Sequence, residues 1–269
     1  MKLATFYNHI QNARKQTGLS LLQVLTRLKE AGITGIEIGY EDVNDLLSMR
    51  KELDRLGMEV SSIYRTFAFE SDGDPTPGRE LVDAAVLLGC KKIMPIPGFY
   101  PTGIDRDSVR RTMLKPLSDL VTYAQTKNIT VTMEDFDNAS SPIATSEGMK
   151  WFADRIEGLY YTFDTGNFYF AGEDEGDAFE NLKDKIRHVH CKDRSLSPVN
   201  GENPFVCVNG TAVYPVSYGG GVIRCQEVLD KIRATGYDDY LVIEHFDAND
   251  QMGFMMQSAV WLKNWMERS

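Results

Sequence analysis

Residues 159–192 read LYYTFDTGNFYFAGEDEGDAFENLKDKIRHVHCK. Leu159 to Asp164 and Ile186 to Lys192 are rich in β-branched and aromatic residues, and Asp177 to Lys185 between them carries helical spacing. A strand, a helix and a second strand in this order form a βαβ unit, whose strands run parallel. Each strand also finishes near a group that can bind a metal or move a proton: Asp164 in the first, His190 in the second.

The same alternation extends in both directions. Further strands are predicted at Lys2 to Tyr7, Gly35 to Gly39, Glu59 to Tyr64, Lys92 to Pro97, Thr130 to Glu134 and Tyr240 to Glu244, which brings the total to eight. Helical patterns fall at Ser20 to Ala31, Val43 to Leu56, Gly78 to Leu88, Asp107 to Thr126, Ser146 to Ile156 and Cys225 to Thr235, with a last helix after Asp250. Ser20 stands where an N-cap would, and Gly32, Gly57, Gly89 and Gly236 where a left-handed residue would end a helix. No linker divides the chain, so eight units predict one (β/α)8 TIM barrel spanning 1–269. The long connection Ser195 to Gly221 departs from the usual loop length of roughly 2–6 residues. Within it, Asn209-Gly210 lies between strand formers, which predicts a β-hairpin insertion, Phe205 to Tyr214, after strand seven. The hairpin is either a lid on the catalytic face, or a subunit contact or inert elaboration.

Composition narrows the function. In 269 residues, 29 Lys and Arg face 39 Asp and Glu, a net charge of −10, which repels nucleic acid and anionic membranes. Four separated cysteines without a C-x-x-C pair indicate reduced thiols and no thiolate zinc site. The absence of an apolar leader or span predicts a soluble, cytoplasmic protein acting on a small molecule; a homo-oligomer is allowed.

Four strand ends carry the chemistry: Glu134, Asp164, His190 and Glu244. In a flat sheet the first and last would start about 14 Å apart, whereas a closed barrel turns them toward one mouth. Two unpaired carboxylates about 5 Å apart repel by roughly 3 kcal/mol at an effective dielectric of about 20, so protons or a cation must intervene. Three carboxylates and an imidazole suit one divalent ion, Mn2+ in preference to Mg2+, Co2+ or Zn2+.

The stretches Thr162 to Asn167, Arg187 to Asp193, Gly236 to Glu244 and Gly32 to Ile38 resemble the xylose isomerase-like TIM-barrel superfamily, and within it the sugar phosphate isomerase/epimerase branch. The resemblance implies that Glu134, Asp164, His190 and Glu244 ligate the metal. It also implies that Glu134 and Glu244 form the acid/base pair of a sugar isomerase or epimerase acting through an enediolate. Departures from the branch are Asn167 where many epimerases have histidine, Ser140 where some have an acid, and Leu196 where some have arginine, a role open to Arg194. These keep two alternatives in view: a metal-dependent lyase or dehydratase on an inosose or oxidised glycoside, and a non-catalytic sugar-binding barrel. An abasic-site endonuclease is disfavoured by the acidity and by only four histidines.

Asn167, His188, Lys192, Arg194, Tyr64 and Arg65 are the expected substrate contacts, with His188 one layer deeper than His190 and open to a packed core role instead. Lys192 and Asp193 either touch substrate or orient His190. His9 and His245 are further candidates at strand ends, and Glu37 reads as a barrel-interior carboxylate with a basic partner. The acidic run Glu173 to Asp177 fits a helix start. No glycine-rich phosphate loop is evident, which favours an unphosphorylated sugar or polyol.

Overall fold

The computed structural model describes residues 1–268. Eight parallel strands close into a ring: β1 (Lys2–Phe6), β2 (Ile33–Gly39), β3 (Glu59–Thr66), β4 (Lys92–Ile96), β5 (Thr130–Glu134), β6 (Leu159–Asp164), β7 (Ile186–Ser195) and β10 (Tyr240–Glu244). Each pairs with its sequence neighbour, and β10 closes the barrel by pairing with both β7 and β1. The expected TIM barrel is therefore the observed fold.

The helices outside the ring are α1 (Tyr7–Thr17), α2 (Leu21–Glu30), α3 (Leu46–Leu56), α4 (Thr76–Leu88), α5 (Arg106–Thr126), α6 (Ser146–Ala153), α7 (Asn167–Ala171), α8 (Glu175–Leu182), α9 (Cys225–Ala234) and α10 (Gln251–Glu267). Ser20 forms a reciprocal capping box with Gln23 at the start of α2. Gly57 and Gly89 end α3 and α4 in the left-handed region at φ 61° and 68°. Asp174 caps α8 through the Gly176 and Asp177 amides, so the acidic run does open a helix. No helix among the described residues is long and apolar enough to cross a membrane.

The main core lies between the strands' outer faces and the helices, with Ile36, Ile38, Ile63, Val131, Phe163 and Leu241 fully or nearly fully buried in it. A smaller cluster of aliphatic and aromatic groups, Ala4, Phe6, Tyr240 and Val242, packs apart from it, as strand alternation requires of inward-facing side chains. Tyr240 fills this interior so closely that a β-carbon at Gly35 would collide with its ring and with Ala4.

The connection after β7 contains the expected hairpin in altered form. β7 itself continues to Ser195, and β9 (Ala212–Val216) pairs antiparallel with this extension; β8 (Phe205–Val206) then pairs with β9. Phe170, Cys207 and Val213 form a buried cluster, with Phe205 packed on it. The hairpin forms part of the cavity wall through Phe205 and Pro215.

Candidate metal centre

Parallel register brings the strand ends together. Asp164 lies beside His190 and Val242 beside His190, while Glu244 lies beside Lys192. All four expected ligands are buried and each offers an atom within 4.8 Å of the others. Ligands on opposite sides of an ion at about 2.0–2.2 Å are about 4.0–4.4 Å apart, so only a small contraction would seat one.

His190 Nδ1 faces Glu134 Oε1 at 2.5 Å and Glu244 Oε2 at 3.0 Å. Asp164 uses Oδ1 to accept the Gly166 and Asn167 amides at 2.7 and 2.8 Å, which orients the carboxylate. Its Oδ2 is buried without a hydrogen-bond partner, and Glu244 Oε2 is buried with no partner but the His190 Nδ1 it shares with Glu134, so both oxygens are under-satisfied. Two such oxygens in one carboxylate cluster are what a cation would satisfy, and the oxygen-rich donor set fits a hard or borderline dication.

The electrostatics agree with a site short of positive charge. Burial raises Glu134 to about 6, with His190 opposing and Glu244 adding to the rise. Burial also pushes Asp164 well up despite the opposing Lys192. Burial works against a charged His190, but Glu37 and Glu134 outweigh it and raise the imidazole. Glu244 overcomes burial through the Lys192 ammonium, which contacts Oε1 and holds this carboxyl low.

Above the cluster is a cavity of about 820 Å3. Lys192 and Asn167 form part of its wall, joined Nζ to Oδ1 at 2.7 Å. Arg194 donates to Asp137 Oδ2 at 2.6 Å and lies over the Phe205 ring. Tyr64, Phe6, Phe136 and Phe246 supply aromatic surface, and Asn12, Gln16 and Asn249 polar surface.

Of the expected substrate contacts, Asn167, Lys192, Arg194 and Tyr64 line this cavity. Two stand elsewhere. Arg65 pairs with Glu41 and Glu80 and stacks on Tyr40, because β3 runs on to Thr66 and alternation turns Arg65 away while Tyr64 and Thr66 face in. His188 is fully buried beneath the cavity, hydrogen-bonded to Glu37 and Lys92, so it takes the core role rather than a substrate contact. Glu37 indeed has basic partners, His188 and His190. His9 and His245 stack on each other away from the lining. Asp193 ties down the loop at Gly219 to Ile223 and touches neither cavity nor His190. Ser140 bonds to Asn138, and Leu196 is exposed. Asp137, Phe136, Asn12 and Gln16 are cavity residues absent from the sequence-based expectation.

Comparison with known proteins places this geometry. Residues 25–265 match the family described as xylose isomerase-like TIM barrel. The chain is 25% identical over 254 residues to the inosose dehydratase of Erwinia tasmaniensis, covering 84% of this chain and 82% of that protein. Among solved structures, a D-tagatose 3-epimerase-like protein superposes with a TM-score of 0.77 at 20% identity, covering 100% of this chain and 98% of the other. The IOLI protein, solved with a zinc atom bound, also gives 0.77, at 15% identity and covering 100% and 99%.

Proposed function

Because the chain belongs to the xylose isomerase-like TIM-barrel family, we propose that it is a divalent-metal-dependent enzyme that removes a proton beside the carbonyl of a small polyhydroxylated ketone. The leading outcome is isomerisation or epimerisation. One observation carries this reading: Glu134 and Glu244, from strands β5 and β10, meet at the same nitrogen of His190 beneath the cavity.

Glu134, Asp164, His190 and Glu244 would hold the ion, and Mn2+ is the proposed metal. When bound, it would supply Lewis acidity that favours loss of the adjacent proton. Glu134 would take that proton and Glu244 return one from the other side of the substrate, or the reverse. Positioned acid/base groups of this kind contribute about 10²- to 10⁴-fold. Asn167, Lys192 and Arg194 would hold the substrate's hydroxyl groups. Lys192 and Arg194 are already balanced by Glu244 and Asp137, which favours an uncharged substrate over a phosphorylated one.

A second reading, dehydration of an inosose-like ketone, is favoured by the Lys192 contact with Glu244. Removing a proton from one face and returning one to the other needs two free carboxylates, whereas elimination needs one base and a hydrogen-bond donor for the departing hydroxyl. The inosose dehydratase relative supports the same outcome.

Incubation with ketoses and inososes in D2O containing Mn2+ tests both. A deuterium-bearing epimer or isomer supports the first reading; a dehydrated product with an absorbing enone or enediol supports the second. Absence of exchange, isomer and dehydration with every compound would leave a binding protein.

A further inference from the structure

Beneath the metal cluster, four charged or ring side chains from β2, β4 and β7 form a continuous hydrogen-bonded line, and its polarity is set from the far end. The Lys92 ammonium can only donate. Its Nζ lies 2.9 Å from His188 Nδ1 and 2.8 Å from Asp239 Oδ2. His188 Nδ1 must therefore accept, which places that ring's hydrogen on Nε2. Nε2 lies 2.8 Å from Glu37 Oε2, and the same oxygen lies 3.2 Å from His190 Nε2. A carboxylate oxygen accepts both, so His190 carries hydrogen on Nε2 as well. Its other nitrogen, Nδ1, is directed at Glu134 and Glu244, and the hydrogen it shares with those carboxylates in the ion-free protein is the one a bound ion would displace, while the Nε2 hydrogen stays donated to Glu37.

We propose that Lys92, His188 and Glu37 are positioning residues that fix the hydrogen of His190 on Nε2 and so present Nδ1 as the metal-binding nitrogen. This rests on the metal-centre reading above. Such partners orient a ligating histidine and typically govern about 10- to 100-fold of metal affinity. The construction explains why His188 repeats His190 two residues earlier on one strand: the pair shares one acceptor, with ring centroids 5.3 Å apart. Glu37, His188 and His190 also lie close enough to be ligands of a second ion. The Lys92 ammonium against His188 argues against it, since a dication there would face a neighbouring positive charge.

The test is the histidine ring spectrum. The chain has four histidines, so 15N-histidine labelling gives few signals in long-range 1H–15N correlation. In protein stripped with chelator, His188 is expected as the Nε2–H tautomer. After loading with Zn2+, chosen because it is diamagnetic, His190 is expected to keep Nε2–H while Nδ1 shifts on coordination. Glu37→Gln should weaken Zn2+ binding about 10- to 100-fold by calorimetry. Lys92→Met should leave His188 in mixed tautomers and weaken binding less; it also serves if Glu37→Gln does not fold. A His188 hydrogen on Nδ1, coordination of His190 through Nε2, native affinity in both variants, or two zinc ions per chain would each overturn the proposal. Failure of the native protein to take up Zn2+ would instead overturn the metal-centre reading, and the chelator-stripped His188 spectrum would still decide the direction of the chain.

Discussion

The Lys192 ammonium and the Asn167 side-chain carbonyl are 2.7 Å apart in the cavity wall. Lys192 is nearly fully buried, yet Asp137 and Glu244 overcome the effect of burial and raise its pKa, keeping it charged. In the absence of an ion this ammonium supplies positive charge to the carboxylate cluster. Lys192→Met is therefore expected to act in opposite directions on binding and turnover. Metal affinity should be unchanged or stronger by calorimetry, because a competing cation is gone. Turnover should fall about 10²- to 10³-fold, as when a preorganised donor is removed. Weaker metal binding with normal kcat would contradict both halves.

Asp164 isolates the metal question from substrate identity. Its Oδ1 is occupied by two backbone amides, so Oδ2 is the oxygen left for a cation. An ion at about a hundred times its Kd adds about 2.7 kcal/mol to stability. For a chain of this size that raises Tm by about 5–10 °C. Mn2+ should give such a shift in the native protein and little or none in Asp164→Asn, measured by thermal unfolding with and without chelator. Equal shifts would remove Asp164 from the ligand set.

The cluster of Glu134, Asp164, His190 and Glu244 is legible because three of its members end strands and His190 lies beside Asp164 within β7, where alternation and barrel closure turn all four toward one mouth. The rest departs for separate physical reasons. Arg65 was expected in the mouth from its position just past a strand, but two more strand residues put it on the outer face. α1 is not legible because Asn8, Gln11, Asn12 and Lys15 mask its buried stripe of Tyr7, Ile10 and Ala13, and the cavity residues Asn12 and Gln16 lie on that helix. Asp137 was invisible for another reason: its value lies in meeting Arg194 across two loops, a contact no local spacing encodes.

Asp193, adjacent to a cavity lysine, has a structural task. Its carboxylate accepts the amides of Arg194 and Ile223 through Oδ1 at 2.8 and 3.1 Å, and of Gly219 and Gly221 through Oδ2 at 3.0 and 2.8 Å. Asp193→Ala would strand these donors and is expected to cost about 3 kcal/mol. Gly221→Ala should also destabilise, since its β-carbon would collide with the Arg194 carbonyl and with Asp193. Urea unfolding checks both, and Mn2+ affinity in the folded variants should stay within a few-fold of native.

Phe205 tests the hairpin without dismantling it. The ring lines the cavity, lies under Arg194 and packs 5.2 Å from Phe170. Phe205→Ala should release the Arg194 side chain and raise KM about tenfold, roughly the 1–1.5 kcal/mol of an aromatic or cation contact, with a smaller effect on kcat. Unchanged KM would make the hairpin an elaboration remote from substrate.

Acid sensitivity should have a contribution from His9. This ring is fully buried, stacks at 5.0 Å on His245, and accepts the His245 amide through Nε2 at 2.9 Å. Burial, reinforced by His245, pushes its pKa well below the ordinary 6.5. Between those values the unfolded chain binds a proton that the folded chain does not, so stability rises with pH there. The contribution is complete above pH 6.5 and is lost as pH falls below it, at up to about 1.4 kcal/mol per pH unit. Protonation would also remove the acceptor that holds the His245 amide. Denaturation midpoints measured from pH 8 to pH 5 should accordingly fall less steeply in His9→Gln than in the native chain, even if the variant is less stable throughout. His245, whose pKa burial lowers to about 4, titrates in both proteins, as do Glu134 and Asp164, so the difference between the curves reports His9. Parallel curves would show that His9 takes up its proton equally well folded and unfolded.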